Sequence, residues 1–464
     1  MQTEPIYLDG QFTKALTSAT LDVISPINQQ VIGKVFDCNK QDINNAISAA
    51  KRALQYTNQT SLTSRIAMAK RFINYLKNNK AEIVRTITLE LGSPISYTKS
   101  SQFEVYINEL DHLLKLIDNF QFTHHETGYD LIKESVGVVA CITPWNFPLG
   151  QITKKIIPAL LMGNTIILKP SSQTPLVASW IAKAIHYAGF PRGSFNLITG
   201  KGSNIGKLLT SHPDINMITF TGSTEVGTQV ASAAVSTMKR ITMELGGKSA
   251  SIILEGANLD IALQKTLDTI FLNSGQTCSA LSRLLVPSSM KEEVEQAIIE
   301  RTQYYIVGDP FSSDTKVGPV QSQSQFEKVK SYIELGVEEE ATLLVGEIPN
   351  NLYIKPTVFT NVTNNMKIAR EEIFGPVLSI ISYETVDEAV EIANDSPYGL
   401  NGAVFGPNDL AHQVATQMKT GNIFINTADK PLNVPFGGYK YSGIGRENGL
   451  LGVEEFIEYK ALIK

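Results

Sequence analysis

From residue 136 onward, short apolar runs alternate with helical stretches, and this alternation constrains the fold more than any other feature. Val136–Ile142, Thr165–Leu168, Phe195–Ile198, Met217–Phe220 and Arg240–Met243 each read as a strand, with room for a helix between successive runs. Continuously apolar strands are those buried on both faces. Separated by helices, they form βαβ units and a parallel sheet. A second series runs from Ala250–Leu254 through Leu284–Val286 to Asn422–Asn426, and Gly246-Gly247 lies between the two series. The pattern predicts two doubly wound α/β domains meeting at a cleft, where such folds bind ligands.

The N-terminal part reads differently. After a strand-like lead at Ile6–Leu8, Ile43, Ile47, Ala50 and Leu54 fall on one face of a helix. A second helix around Arg65–Lys77 carries Ile66, Ile73 and Leu76. At 464 residues, 43% hydrophobic and 18% charged, the chain has the apolar content for a large core, which excludes disorder as its main state.

Charge and cysteine content narrow the function. The net charge of -5 leaves no basic surplus to neutralise phosphates, so nucleic-acid binding is not expected. Three cysteines, Cys38, Cys141 and Cys278, form no paired framework and point to a reduced, cytoplasmic setting. The start of the chain lacks a basic region followed by an apolar one, so no signal peptide is expected. Ser135–Thr153 is uncharged, but Pro144, Asn146 and Pro148 would expose backbone that lipid cannot satisfy, which makes it a buried segment rather than a membrane span. The six histidines show no ligand spacing with the cysteines, so no metal site is expected.

Several residues could carry chemistry, each with a plainer reading beside it. Phe220-Thr-Gly-Ser-Thr-Glu-Val-Gly227 follows an apolar run and opens a helix read as Thr228–Met238. Amides at a helix start suit a phosphate, though any glycine-rich turn looks similar. Lys169, at the carboxyl end of a strand, could meet a ribose or phosphate, or could simply be solvated. Cys278, among small polar residues in a tight turn, could be a nucleophile or an incidental loop thiol. Glu244, between an apolar strand and two glycines, could be a general base with a burial-raised pKa, or a turn carboxylate. Asn146, held between two aromatics and two prolines, could donate to an oxyanion or tie down its loop.

The joint order of these signals is more specific than any one of them. Pro144-Trp-Asn-Phe-Pro-Leu149, Leu168-Lys-Pro170, Phe220-Thr-Gly-Ser223, Met243-Glu-Leu-Gly-Gly-Lys248, Gly275-Gln-Thr-Cys278, Glu371-Glu-Ile-Phe-Gly-Pro376 and Pro435-Phe-Gly-Gly438 follow one another. In that order they resemble the NAD(P)-dependent aldehyde dehydrogenase superfamily, over essentially the whole chain.

The resemblance implies two Rossmann-like domains and a small β oligomerisation element. The cofactor-binding domain would span 1–112 and 136–246 and the catalytic domain 247–442, with bridging segments at 113–135 and 443–464. Cys278 would attack the aldehyde carbon, Asn146 and the Cys278 amide would form the oxyanion hole, and Glu244 would activate water to hydrolyse the thioester. Because coenzyme A-acylating relatives need no such glutamate, a free carboxylic acid is implied. NAD or NADP would be the hydride acceptor. Lys169 would hold the adenosine ribose and Glu372 the nicotinamide ribose. Phe374 would line the nicotinamide site, while Gly202, Gly206, Phe220 and Ser223 would contact adenine and diphosphate. Ile142, Thr143, Trp145, Gly222 and Leu245 would complete the cofactor site. A homodimer or homotetramer is also implied, with the last strand pairing to a neighbouring subunit.

Three positions depart from the pattern of many relatives. Three residues after Lys169, NAD-preferring relatives often carry glutamate, and here stands Ser172. The like-charge penalty on a 2′-phosphate is absent, so NADP should be accepted. By motif spacing, Lys154 and Lys430 fall where relatives with apolar substrates place aromatics around a substrate tunnel that Phe436 also lines. Two ammonium groups there would favour an anionic aldehyde, unless one or both point to solvent. A cysteine hydrolase using Cys278 and Glu244, or a binding protein that retains only the fold, are the competing readings.

Overall fold

The computed structural model describes residues 2–464. The apolar runs fold as read, with ends shifted by a residue or two. Val138–Ile142, Thr165–Lys169, Phe195–Leu197, Met217–Thr221 and Arg240–Glu244 are parallel neighbours in an eight-stranded sheet, completed at its edges by Ile6–Leu8, Gln11–Thr13 and Gly443–Ile444. Four of the five parallel strands have both faces covered along most of their length, as their unbroken hydrophobicity requires. Arg240–Glu244 is half-exposed at its first two residues.

Register, more than strand count, positions the functional residues. Phe220 pairs with Ile142, Ile142 with Lys169, and Thr221 with Glu244. The carboxyl ends of four strands therefore finish side by side, with Lys169 and Glu244 on one edge.

Residues 245–249 carry the chain into a seven-stranded sheet. Its order is Thr342–Val345, Thr357–Thr360, Val377–Tyr383, Arg283–Pro287, Ala250–Ile253, Asn401–Phe405 and Asn422–Ile425, with only the first pair antiparallel. A third sheet joins the C-terminal Ile457–Ile463 to the hairpin formed by Thr123–Glu126 and Tyr129–Ser135.

The first helix spans Lys40–Thr57, capped by Asn39 and Asp42, each accepting from the other's backbone amide. Ile43, Ile47 and Ala50 are buried on it and Leu54 is half-buried. Two features were not legible in the sequence. Thr20–Ile24 and Val31–Phe36 pair as a small sheet, but their mixed exposure leaves no clean period of two. The helix read as Thr228–Met238 starts earlier, at Thr224, because the Ser223 side chain accepts from the Val226 amide and caps it.

Candidate active site

Cys278 sits just past a sharp turn. Asn273 and Ser274 take left-handed backbone angles (φ 55° and 56°), ending the helix Leu259–Phe271 abruptly. Such strain persists only where surroundings over-determine it. Here Ser274 Oγ donates to the Gly318 carbonyl at 2.8 Å, and the Gln276 side chain donates to the Asn273 carbonyl at 3.0 Å and accepts from the Gln321 amide at 2.8 Å.

The same turn grips Asn146. Its side-chain amide donates to the Gln276 carbonyl at 2.9 Å, and its own carbonyl accepts from Gln102 Nε2 (3.1 Å) and Asn273 Nδ2 (3.0 Å). Gln102 also donates to Asn273 Oδ1 at 3.1 Å. All four side chains are buried. One N–H of Asn146 is thereby fixed to protein, leaving the second available to the cavity that Asn146 and Cys278 line together. Gln102 comes from a π-helical turn, Thr98–Glu104, a form that recurs at functional sites.

Glu244 ends its strand 2% exposed, and neither carboxylate oxygen has a hydrogen-bond partner. Burial first, then the charge of Glu447, push its pKa well above the ordinary carboxylate range, against the pull of Lys155 and Arg446. Lys155 is fully buried, pairs with Glu447 and donates to Thr221 Oγ1 at 2.7 Å. Reading the sequence missed both Lys155 and Glu447. A lysine in the middle of an apolar helix was the available signal for Lys155. Glu447 reaches the site through its backbone pairing with Phe436, which nothing local announces.

The Cys278 thiol is pushed up to about 12, by burial first and then by Glu372 and Glu244, with Lys154 opposing. The resting sulfur is therefore protonated at neutral pH and needs a base to become a nucleophile. Gly247 is required by close approach, since a Cβ there would lie 2.5 Å from the Cys278 carbonyl, while one on Gly246 would lie 2.5 Å from Glu372 Oε2 and displace that carboxylate.

A cavity of about 160 Å³ gathers Trp145, Asn146, Gly222, Ser223, Leu245, Cys278, Glu372 and Phe374, together with Gln325 and Lys328, which the sequence did not suggest. Trp145 and Phe374 meet edge to face, with centroids 5.4 Å apart. Gln325 Nε2 fixes the Phe374 carbonyl at 2.8 Å, and the Gly247 amide donates to Glu372 at 3.1 Å. The remaining candidates lie outside this cavity. Ile142, Thr143 and Phe220 are buried, and Thr143 Oγ1 has no partner. Lys169 Nζ donates to the Pro170 carbonyl at 3.2 Å, and burial lowers its pKa to about 8. A Cβ on Gly202 would lie 3.9 Å from that ammonium, while the space at Gly206 is open. Ser172 is half-buried in the loop that follows Lys169.

A second cavity of about 180 Å³, beside Ser279, is lined by Lys430 and Phe436, with Lys430 exposed and its ammonium 5.0 Å from the Phe436 ring. Lys154 does not point to solvent. Its side chain is 13% exposed and its ammonium lies 3.3 Å from Glu109. Its charge is compensated, where the sequence suggested two free cations. Among the described residues, no three His, Cys, Asp or Glu side chains converge to hold a metal.

Sequence and structure comparisons agree with one another. The family model described as the aldehyde dehydrogenase family matches residues 12–462. A putative aldehyde dehydrogenase of Staphylococcus saprophyticus is 38% identical over 463 residues, 98% of each chain. Among solved structures, a Cys-to-Ala mutant of aldehyde dehydrogenase C from Pseudomonas syringae, in complex with NAD+ and octanal, superposes with a TM-score of 0.97 at 39% identity, covering 99% of this chain and 96% of that one. A betaine aldehyde dehydrogenase from Staphylococcus aureus, in complex with NAD+, does so with a TM-score of 0.96 at 36% identity, covering 99% and 95%.

Proposed function

The chain belongs to the aldehyde dehydrogenase family, and from that premise we propose how its own residues divide the work. It is an NAD(P)-dependent enzyme that oxidises an aldehyde to the carboxylic acid through a cysteine nucleophile. Cys278 is that cysteine: its thiol proton passes to Glu244 and on to solvent as Sγ adds to the aldehyde carbon, and the oxygen becomes an oxyanion. The free N–H of Asn146 and the Cys278 backbone amide receive that charge, a contribution on the order of 10²–10³ in rate per donor. Loss of hydride then leaves a thioester on Cys278. Glu244 takes a proton from water, which attacks the thioester and releases acid and thiol. A carboxyl whose pKa burial and Glu447 have raised is a stronger base than an ordinary glutamate.

The residues around the first cavity suit a dinucleotide. The Glu372 carboxylate offers acceptors for ribose hydroxyls, Phe374 and Trp145 offer an aromatic wall, and Ser223 opens a twelve-residue helix whose start favours phosphate. Lys169, beside Gly202, would take the adenosine ribose. Bound there, NAD(P)+ supplies the hydride acceptor. Ser172 supports acceptance of NADP, since serine brings no charge against a 2′-phosphate.

Residues 1–112 with 136–246 would form the cofactor-binding domain, 247–442 the catalytic domain, and 113–135 with 443–464 the bridging segments. A homodimer or homotetramer is supported by the exposed Tyr459, Leu462 and Ile463 on the C-terminal edge strand. No helix among the described residues is long and apolar enough to cross a membrane. The free cysteines support a cytoplasmic setting, as expected from the sequence.

One observation carries the assignment of roles: Cys278, Asn146 and Glu372 line a single cavity, with Glu244 at the adjacent strand end. The test is cofactor reduction with a panel of short, aromatic and anionic aldehydes, with NAD and NADP supplied separately. Turnover that Cys278→Ala abolishes is the expected result, and turnover that survives it refutes the role of Cys278. A hundredfold preference for NAD refutes the reading of Ser172.

A further inference from the structure

The aromatic walls beside the active site already hold cations. The ammonium of Lys154 lies 5.0 Å from the centre of the Tyr106 ring and 5.8 Å from that of Phe436, and the Glu109 carboxylate stands 3.3 Å away. Phe147 meets Tyr106 edge to face at 6.5 Å. Aromatic faces with a nearby carboxylate make the kind of cage that recognises a quaternary ammonium ligand.

Here the occupant is Lys154 itself, whose side chain is 13% exposed. The packing is committed to this arrangement. A Cβ on Gly150 would fall 2.1 Å from the Tyr106 ring, so only glycine lets that ring lie against the helix Pro148–Leu161. The occupant is also kept charged. Burial works against the ammonium, but Glu109 and then Glu447 outweigh it and hold its pKa above the ordinary value. On the other side, Lys430 places a second ammonium 5.0 Å from Phe436.

Building on the aldehyde dehydrogenase reading, we propose that Lys154 is a built-in cation that fills the Tyr106–Phe436–Glu109 cage, so that the enzyme rejects aldehydes with a quaternary ammonium head group and takes uncharged or anionic ones. A cationic head group meets the exposed ammonium of Lys430 and, at Tyr106 and Phe436, ring faces that Lys154 already holds. An uncharged head group of the same shape meets only the steric wall. Lys154 is thus a specificity-determining residue, and Glu109 positions it.

The test uses two aldehydes of one shape, trimethylammonioacetaldehyde and its carbon isostere 3,3-dimethylbutanal, with butanal as reference. The quantity read is the ratio of kcat/KM for the cation to that for the isostere. In the wild-type enzyme the isostere is preferred at least tenfold, and a ratio at or above one overturns the proposal without any variant. Lys154→Ala empties the cage and leaves Glu109 facing it, so the ratio rises at least tenfold. Lys154→Arg keeps the cation, and its ratio stays within about threefold of wild type. Adding Glu109→Gln to Lys154→Ala takes back most of the gain. A Lys154→Ala ratio within twofold of wild type overturns the proposal. Absence of turnover with butanal and every other aldehyde in the wild type refutes the underlying enzyme reading instead.

Discussion

Replacing Gln102 with leucine should separate the stability of the Asn146 clamp from its chemical use. In the native structure the Gln102 Nε2 group serves the Asn146 carbonyl and Asn273 Oδ1, both at 3.1 Å, in a fully buried place. Leucine removes both bonds. Asn146 keeps one donor, Asn273 Nδ2 at 3.0 Å, but Asn273 Oδ1 loses the bond from Gln102. A buried acceptor left unpaired costs about 1–3 kcal/mol. Against this, Gln102 Oε1 is itself buried without a partner, and its removal returns about 1 kcal/mol. The net loss should be about 0–2 kcal/mol, read as a lower midpoint of urea unfolding. The catalytic effect is a separate matter. With one of its two anchors gone, the Asn146 peptide gains freedom, and part of the roughly 10²–10³ that one oxyanion donor is worth is lost. We expect kcat to fall about tenfold, with KM for the cofactor unchanged. Steady-state kinetics beside urea titration gives both numbers from one preparation. A kcat within twofold of wild type, together with the expected loss of stability, would refute the claim that this clamp positions Asn146.

Three other perturbations test the same geometry. Lys155→Met leaves Glu447 buried without its partner and should cost about 3–5 kcal/mol of stability, while adding Glu447→Leu should recover much of it; equal stability of the single and double variants would contradict this reading of the pair. Glu90, fully buried, caps the helix Leu176–Ala188 through the Leu176 and Val177 amides, and burial raises its pKa from 4.5 to about 8. An acid with a raised folded pKa stabilises fully below its unfolded value and loses that contribution as pH rises to the folded one. Between about pH 4.5 and 8 the wild type should therefore lose stability from this group, and Glu90→Gln should flatten the slope; an unchanged slope by urea titration across that window removes the effect. Ser172→Glu should lower kcat/KM for NADP at least tenfold relative to NAD, and an unchanged ratio would place the 2′-phosphate elsewhere.

Most of the fold was legible because strands covered on both faces are written as unbroken apolar runs. Thr165–Lys169 and Met217–Thr221 could be placed to within a residue or two. Cys278, Glu244 and Asn146 stood out as candidates only through the joint order of the motifs that hold them, since each turn by itself also had a plainer reading. The small sheet of Thr20–Ile24 and Val31–Phe36 was not legible, since half-exposed strands carry no clean period.

The sequence by itself determined which residues lie at the ends of which strands, since hydrophobic runs and turn residues are local properties of the chain. Only the tertiary structure decided the electrostatics between those ends. Lys155 and Glu447 are 292 positions apart, and Gln102 and Asn273 are separated by 171. Lys154, which the sequence offered as a free cation, is neutralised by Glu109 from a neighbouring helix and seated against two aromatic rings. A charge acquires its meaning from whatever is packed within a few ångströms of it, where burial strengthens every pairing. That distance is set by how helices lie against the sheet, and no window of sequence contains it.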